Sequence, residues 1–258
     1  MRTNFHTHTY RCKHAVGTEL DYVTEAVNKG LSILGFSDHG PFKDNRYGLR
    51  MDFSSLEPYI DTVNELKRTK MNEITIYSGL EIEYDPKDEG YYQELLADYR
   101  LDYLALAQHF YVTDTGSPIN IYSVTDTVQY IDYANSIVNG MATGYFKFVA
   151  HPDIMFVNDL PWDDNCEMAC DIIISAAAAN NYILEYNANG YRRGIHQFTD
   201  GERLQYPHPK FWEKAAGTSV PVIVGSDCHN PVQIWDEHME YACKAVKEYR
   251  LNVITDIF

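Results

Sequence analysis

The stretch ITIYSGLE, residues 74–81, is a run of apolar and β-branched residues that ends in a glutamate. A short apolar run of this kind predicts a strand that is buried in a sheet. Other runs end in the same way, since residues 32–36 lead to His39 and residues 145–150 lead to His151. Because the carboxyl ends of parallel strands meet at one edge of a sheet, we expect these polar side chains to converge there.

Most of the ten histidines lie in short motifs, many of them at the ends of such runs. The motifs are His6-Thr7-His8, His14, Asp38-His39, His109, His151-Pro152-Asp153 and Asp227-Cys228-His229, and Glu81 is the glutamate that ends the first run. Side chains alternate along an extended segment, so the two imidazoles of the first motif share a face and can bind one metal ion. Imidazoles and carboxylates that converge at one edge predict a polynuclear metal site and metal-assisted hydrolysis.

Amphipathic helical patterns alternate with the apolar runs along the whole chain. Helices are predicted over residues 18–28, 54–67, 91–99, 124–138, 166–179, 209–216 and 235–249, and Ser54 with Glu57 predicts a capping box for the second. Seven or eight βα units in about 250 residues predict an α/β parallel barrel with its active site at the carboxyl ends of the strands. Residues 40–52, 111–122 and 187–208 are expected to form the loops above that site.

Composition narrows the classes of partner and the compartment. The balance of 21 basic against 37 acidic residues opposes non-specific nucleic-acid binding, which depends on Lys and Arg at phosphates. No apolar stretch approaches the roughly 20 residues that span a bilayer. The five cysteines include no CxxC pair, which indicates reduced thiols. We therefore expect a cytoplasmic protein with a small substrate and no nucleic-acid or membrane partner, and the oligomeric state stays open.

The motifs together resemble the PHP family, the polymerase and histidinol phosphatase superfamily, and they follow that family's order over most of the chain. The segments CKHA at residues 12–15 and SDHGP at residues 37–41 resemble its histidinol-phosphatase branch. The resemblance implies a single PHP-type metal-dependent hydrolase domain over residues 1–258. It also implies a distorted (β/α)7 TIM-like barrel, with the active site at the carboxyl ends of the strands.

The resemblance also implies two or three divalent metal ions and assigns their ligands. One ion would be held by His6, His8, Glu81 and Asp227, a second by Glu81, His109 and His151, and a third by His14, His39 and His229. No position of this set is missing, which argues against a metal-free relative. A mixed set of imidazoles and carboxylates suits Zn, Fe or Mn and does not decide between them.

Metal ions bridged by Glu81 would lower the pKa of a shared water and supply a hydroxide that attacks phosphorus. No serine or cysteine nucleophile is then required. The leaving group still needs a proton, and Asp38 and Asp153 are candidates to donate it. The preferred interpretation is that each aspartate orients a neighbouring imidazole. A metal-bound water or a ligand histidine could donate that proton instead.

Substrate recognition calls for a cation beside the metal ions, because a phosphate monoester is a dianion. Arg192 and Arg193 follow the strand predicted at residues 182–185, and one of them resembles a phosphate-binding arginine of the histidinol-phosphatase branch. Arg193 is slightly preferred. Relatives often carry a second basic residue after His-Pro-Asp, whereas residues 154–158 contain none. The candidates to replace it are Arg11, Lys13, Lys43, Arg46 and Arg50; otherwise the substrate differs from histidinol phosphate.

The expected function is hydrolysis of L-histidinol phosphate to L-histidinol and phosphate, as in histidine biosynthesis. Two alternatives keep the same chemistry: a phosphatase for another small phosphate ester, and a phosphodiesterase or nuclease. The net charge of −16 disfavours the nuclease. A non-catalytic metal-binding or scaffold protein is a third alternative, which the intact ligand set disfavours.

Overall fold

A computed structural model of the chain describes residues 1–113 and 116–258. In these ranges the strands are β1 (Thr3–Asn4), β2 (Ile33–His39), β3 (Thr75–Ile82), β4 (Tyr103–Leu106), β5 (Phe110–Val112), β6 (Pro118–Asn120), β7 (Phe146–Val149), β8 (Ile183–Asn187), β9 (Ile195–Phe198), β10 (Gly201–Leu204), β11 (Pro221–Gly225) and β12 (Asn252–Val253). The α-helices are α1 (Glu19–Asn28), α2 (Leu56–Thr69), α3 (Glu89–Ala97), α4 (Val128–Ala142), α5 (Asp164–Asn180), α6 (Asn189–Arg192), α7 (Pro209–Ala216) and α8 (Glu237–Glu248). No helix within the described ranges is both long enough and apolar enough to cross a membrane.

Eight strands form one parallel sheet in the order β1-β2-β3-β4-β7-β8-β11-β12. The sheet curls into a half-barrel with helices around it, for example α2 against β3 and α8 against β11. This architecture confirms the predicted α/β class and the distorted TIM-like barrel. The sheet has eight strands and not the expected seven, because it includes a two-residue strand at each end.

The segments that follow β1 and β11 approach each other at the carboxyl edge of the sheet. Thr7 and Cys228 form an isolated parallel bridge, and the backbone N–H of His8 donates to the carbonyl of Cys228 at 3.0 Å. Next to this bridge, the Asn4 side chain donates to Ser226 Oγ at 2.6 Å. We call residues 4–8 and 226–229 the seam. It brings ligand candidates from the two ends of the chain side by side.

Tyr103 lies in the barrel interior below the site, in a buried cluster that includes Phe5 and Phe148. Its hydroxyl donates to the carbonyl of Phe5 at 2.7 Å and lies 2.8 Å from the carbonyl of Phe36. Gly79 leaves room for the ring, because a Cβ there would lie 2.5 Å from two ring atoms. This close packing supports the strand ends that carry the candidate ligands and limits their movement.

The predicted capping box at Ser54 and Glu57 is wrong. A short 3-10 helix covers Phe53–Ser55, and α2 begins directly after it. The extended residue that precedes this turn is Asp52, so Ser54 lies inside a helical turn and is not the N-cap residue. The other predicted helices are observed, with their ends shifted by up to four residues.

Two hairpins and one short helix occupy segments that were predicted as loops. The β5–β6 hairpin lies within residues 111–122 in large part, and residues 114 and 115 of that segment are outside the described residues. Helix α6 and the β9–β10 hairpin lie within residues 187–208. Elements of three or four residues are too short to produce a recognisable period in the sequence.

Candidate metal centre

All of the candidate metal ligands converge at the carboxyl edge of the sheet. The groups whose ligand atoms lie within 4.8 Å of one another include His14 with His39 and His229, His6 with His8 and Glu81, His6 with His151 and Asp227, and His39 with Glu81 and His109. A further group, His8 with Cys12 and His229, includes a thiol that the sequence did not indicate as a ligand. The convergence expected from the strand ends is therefore present in the structure.

Glu81 lies at the centre of the cluster and is almost fully buried. Its carboxylate oxygens lie 2.8 Å from His151 Nε2, 2.8 Å from His39 Nδ1 and 3.3 Å from His6 Nε2. Burial raises the pKa of this carboxyl, but His39 and His6 outweigh burial and hold it well below its usual value. Glu81 therefore stays ionised and can contribute to more than one ion position.

His14 and His229 face each other with their Nε2 atoms 2.9 Å apart. The Nδ1–H of His14 donates to the carbonyl of Cys12 at 2.9 Å, and that of His229 donates to the carbonyl of Asp227 at 3.1 Å. Both facing nitrogens then carry lone pairs when the rings are neutral. Burial lowers the pKa of His229 to about 3 and keeps that ring neutral. Two facing lone pairs repel each other, so these nitrogens would be satisfied by a proton or a metal ion that both of them bind.

Several buried polar atoms of the cluster lie close to one another but form no hydrogen bond of acceptable geometry with the described residues. They are His6 Nε2, His8 Nδ1, His8 Nε2, His39 Nδ1, His151 Nδ1 and Glu81 Oε2. A buried polar atom without a partner is costly, so clusters of them are explained by an ion or a ligand that completes them. Divalent metals bind neutral imidazoles and ionised carboxylates; burial lowers the pKa of His6 and of His8 but nearby carboxylates raise it more, so an ion bound there would displace a proton. The residues present therefore fit a divalent metal centre.

Glu185 supports two of the ligand candidates and was not predicted. Its Oε1 accepts from His6 Nδ1 at 2.7 Å, and its Oε2 accepts from the backbone N–H of His151 at 3.0 Å and from Asn187 Nδ2 at 2.8 Å. The donation from Nδ1 fixes the tautomer of His6 and turns its Nε2 toward Glu81. Glu185 ends the strand predicted at its position, so the rule that indicated Glu81 could have indicated it too.

The two candidate acids make contacts that hold other groups in place. Asp38 Oδ2 accepts from the backbone N–H of Thr9 at 3.1 Å, and Asp38 Oδ1 lies 3.7 Å from His8 Nδ1. Asp153 Oδ2 accepts from the indole N–H of Trp212 at 3.0 Å. Burial raises the pKa of Asp153 to about 6. The structure places Asp38 beside a ligand and connects Asp153 to α7.

A cavity of 670 Å³ opens above the cluster. Beside ligand candidates, its lining includes Asn120, Tyr122, Asn189, Arg193, Tyr206 and Gln233. The amides and hydroxyls add neutral hydrogen-bonding groups around the metal-binding side chains. A volume of this size suits a small ligand.

The two candidate arginines have different partners. Arg192 binds Asp236 through Nε and Nη2, at 2.8 and 2.9 Å, and it also donates to the carbonyl of Ser226. Arg193 lines the cavity, where it contacts Gln205 at 3.3 Å and lies over the Tyr206 ring. Because the donors of Arg192 are engaged by a carboxylate and carbonyls, Arg193 is the better placed of the two to bind an anion.

The basic residues considered as a second phosphate contact each pair with a carboxylate. The pairs are Arg11 with Glu19, Lys13 with Asp52, Lys43 with Glu94, Arg46 with Asp88 and Arg50 with Glu83. Arg50 is the one that also lines the cavity. A second phosphate contact from this group would require one of these ion pairs to open.

The family model described as "PHP domain" matches residues 4–189, which is more than half of the 258 residues. The chain belongs to the PHP family. The match includes every ligand candidate except Asp227 and His229, which follow it in sequence and meet the other ligands at the seam.

Relatives of this PHP chain extend over nearly its full length. It is 27% identical over 254 residues to "Probable histidinol-phosphatase" of Deinococcus radiodurans, covering 95% of this chain and 91% of that protein. It is 25% identical to "Histidinol-phosphatase" of Bacillus subtilis, covering 87% and 92%. In fold it is similar to the histidinol phosphate phosphatase of Lactococcus lactis, solved with Zn, L-histidinol and phosphate, at a TM-score of 0.71 and 17% identity, covering 98% and 95%.

We expect Zn²⁺ to stabilise the folded PHP chain, because the unpartnered ligand atoms gain a partner. At a free ion concentration about 1,000 times Kd, one bound ion adds about 4 kcal/mol and raises Tm by roughly 8–16 °C. Thermal unfolding of metal-stripped protein with increasing Zn²⁺ measures the effect. Mg²⁺, which prefers oxygen ligands, is the control. A Tm that does not respond to Zn²⁺ would contradict the metal centre.

Proposed function

We propose that this chain is a metal-dependent phosphomonoesterase that hydrolyses L-histidinol phosphate to L-histidinol and phosphate. The observation that carries the proposal is the convergence of buried imidazoles and carboxylates below a cavity that Arg193 lines. The histidinol-phosphatase names of two relatives that align over most of their lengths support the same substrate.

We further propose how the ligands are shared among two or three divalent ions. One ion would be held by His6, His8, Glu81 and Asp227. A second would be held by Glu81, His109 and His151, and a third by His14, His39 and His229. The short distances from Glu81 to several imidazoles support its place between ion positions. When bound, divalent ions lower the pKa of a bound water toward neutrality and balance the negative charge of the phosphoryl oxygens. Zn, Fe and Mn all suit this ligand set.

Within this proposal Arg193 binds and orients the phosphate through its guanidinium group. Asn120, Asn189 and Gln233 line the cavity with neutral amides, which can hydrogen-bond the remainder of a polar substrate. Asp38 holds the His8 imidazole, because one of its oxygens faces that ring and the other accepts from the backbone. Asp153 anchors α7 through its hydrogen bond to Trp212. The proton for the leaving group then comes from another group, one that lines the cavity.

We also propose that residues 1–258 form one PHP-type domain. The parallel sheet continues past residue 189, where the family match ends, and includes β11 and β12. The seam joins residues of both ends of the chain. A separate second domain would not contribute strands to the same sheet.

We expect Arg193→Ala to lower kcat/KM for L-histidinol phosphate by about 10–100-fold, because a charge-assisted contact to phosphate contributes about 1.5–3 kcal/mol. Phosphate release by metal-reconstituted protein measures it. Arg68→Ala is the matched control, since that guanidinium is largely exposed on α2 and pairs with Glu65. Equal activity in the Arg193 variant and the control would remove Arg193 from the substrate site.

A panel of phosphate esters tests the proposed function as a whole. Turnover of L-histidinol phosphate well above that of other monoesters is the expected result. Faster turnover of a different monoester would keep the metal chemistry and change the substrate. No turnover of any monoester by fully metal-loaded protein would overturn the proposal, and cleavage of a labelled oligonucleotide alone would indicate a phosphodiesterase.

A further inference from the structure

Glu83 follows β3 two residues after Glu81, so the two side chains share a side of the extended segment. Both are buried, and the His109 ring lies between them. Its Nδ1 is 3.3 Å from Glu83 Oε1, and its Nε2 is 3.7 Å from Glu81 Oε1. A carboxylate at Nδ1 makes that nitrogen the donor and leaves the lone pair of Nε2 for the metal centre.

Glu83 is in turn held by Arg50. The guanidinium binds both carboxylate oxygens, with Nη1 2.9 Å from Oε2 and Nη2 2.8 Å from Oε1. Arg50 and Glu83 are 5% and 1% exposed, so the pair is shielded from solvent. A bidentate contact fixes the plane of the carboxylate, and with it the direction in which Glu83 faces His109.

Arg50 belongs to the loop of residues 40–52, which connects β2 to the turn before α2. Leu49 and Arg50 line the cavity. Tyr47 of the same loop stacks on Phe110, the residue after His109, with ring centroids 4.1 Å apart and an interplanar angle of 4°. The loop therefore contacts the His109 segment in two ways, through this stacked pair and through Arg50 and Glu83.

We propose that Glu83 and Arg50 are positioning residues of the metal centre. Glu83 fixes the tautomer and orientation of His109, and Arg50 ties that orientation to the loop that forms one wall of the cavity. These roles rest on the proposed metal-dependent function, but their test requires only metal binding. A purely structural ion pair would stabilise the fold without changing how tightly His109 binds an ion.

The test uses Zn²⁺ alone, titrated into metal-stripped full-length protein against a chromogenic chelator. Loss of the support for one ligand is expected to weaken one Zn²⁺ site by about 10–100-fold and leave the others unchanged. The double variant Arg50→Met, Glu83→Leu removes both buried charges together, so neither is left unpaired. The expected result is a folded protein with one weakened site. Arg50→Lys, which offers a compact ammonium in place of the planar fork, should weaken that site less.

A second ion pair of the same loop provides the matched control. Arg46 binds Asp88, and within residues 1–113 and 116–258 neither side chain forms a hydrogen bond or ion pair with a candidate ligand. Arg46→Met, Asp88→Leu should leave all Zn²⁺ affinities unchanged. Equal weakening in both double variants would show a general effect of the loop and overturn the proposal, as would unchanged affinity in the Arg50 and Glu83 variant. Should that variant not fold, Glu83→Gln alone decides, with a weakened site expected.

The titration separates this inference from the proposed function. Wild-type protein that binds Zn²⁺ but hydrolyses no phosphate ester would overturn the function and leave the roles of Glu83 and Arg50 in place. Variants that bind Zn²⁺ as the wild type does would overturn the positioning roles, whatever the activity.

Discussion

Glu81→Gln is expected to lower kcat for phosphate release by more than about 100-fold, because loss of a residue that only supports a ligand already costs about 10–100-fold. The carboxylate oxygens of Glu81 lie within 3.3 Å of ring nitrogens of the ligand candidates His151, His39 and His6. Glutamine has nearly the same shape but carries no negative charge. It therefore cannot balance the charge of two metal ions that Glu81 would bridge. Kinetics at saturating substrate measures kcat, and metal analysis of the same sample measures how much metal the variant retains.

The control for Glu81→Gln is Glu65→Gln, which makes the same chemical change at an exposed carboxylate on α2. It should leave kcat and metal content unchanged. A Glu81→Gln protein with wild-type metal content and wild-type kcat would show that Glu81 is not a ligand. Full metal content with low kcat would instead assign to its charge a role in the reaction.

Gly225→Ala is expected to destabilise the protein by at least about 3 kcal/mol, the upper range for overpacking a core. Gly225 ends β11, and a Cβ there would lie 1.7 Å from Glu185 Oε1. The carboxylate has no free direction to move, because it holds His6, His151 and Asn187. Any shift therefore disturbs two ligands at once. Chemical denaturation and Zn²⁺ titration of the variant measure the two consequences.

Gly90→Ala is the matched control for Gly225→Ala. Gly90 lies within α3, and a Cβ there would meet nothing within 4 Å. Gly90 is the second residue of α3, so alanine gains there at most the about 0.5–1 kcal/mol that it gains over glycine in a helix interior, and the variant should be as stable as the wild type or slightly more stable. Wild-type stability and Zn²⁺ affinity in Gly225→Ala would contradict the described position of Glu185.

The sequence was sufficient to predict the barrel and the identity of the clustered side chains. Most of this follows from local signals, because apolar runs predict strands and the residue type at the end of a run identifies a possible ligand, whereas His14 ends no such run and joins the set through the family resemblance. His39 and Glu81 illustrate this, since they end adjacent strands and are paired in register. Parallel connection by helices then places all such ends at one edge. The assignment of individual ligands to individual ions remains a proposal.

The supporting residues could not be predicted in the same way, because their roles depend on contacts between distant segments. Glu83 acquires its role from Arg50, which lies 33 positions earlier. Arg192 and Arg193 are adjacent, identical in type and both line the cavity, yet Arg192 is engaged by Asp236 whereas Arg193 contacts Gln205 and lies over the Tyr206 ring. Their difference arises from the packing of α6 against α8, which no local pattern in the sequence records.

His14 faces His229, the last residue of the seam, across 215 positions of sequence. An ion that stayed bound to both would close a loop of that length in the unfolded chain. Closing such a loop removes conformational entropy equivalent to about 5 kcal/mol, as a cross-link does. All five cysteines are free thiols. The metal centre would thus give this chain the kind of long-range covalent-like constraint that secreted proteins obtain from disulfides.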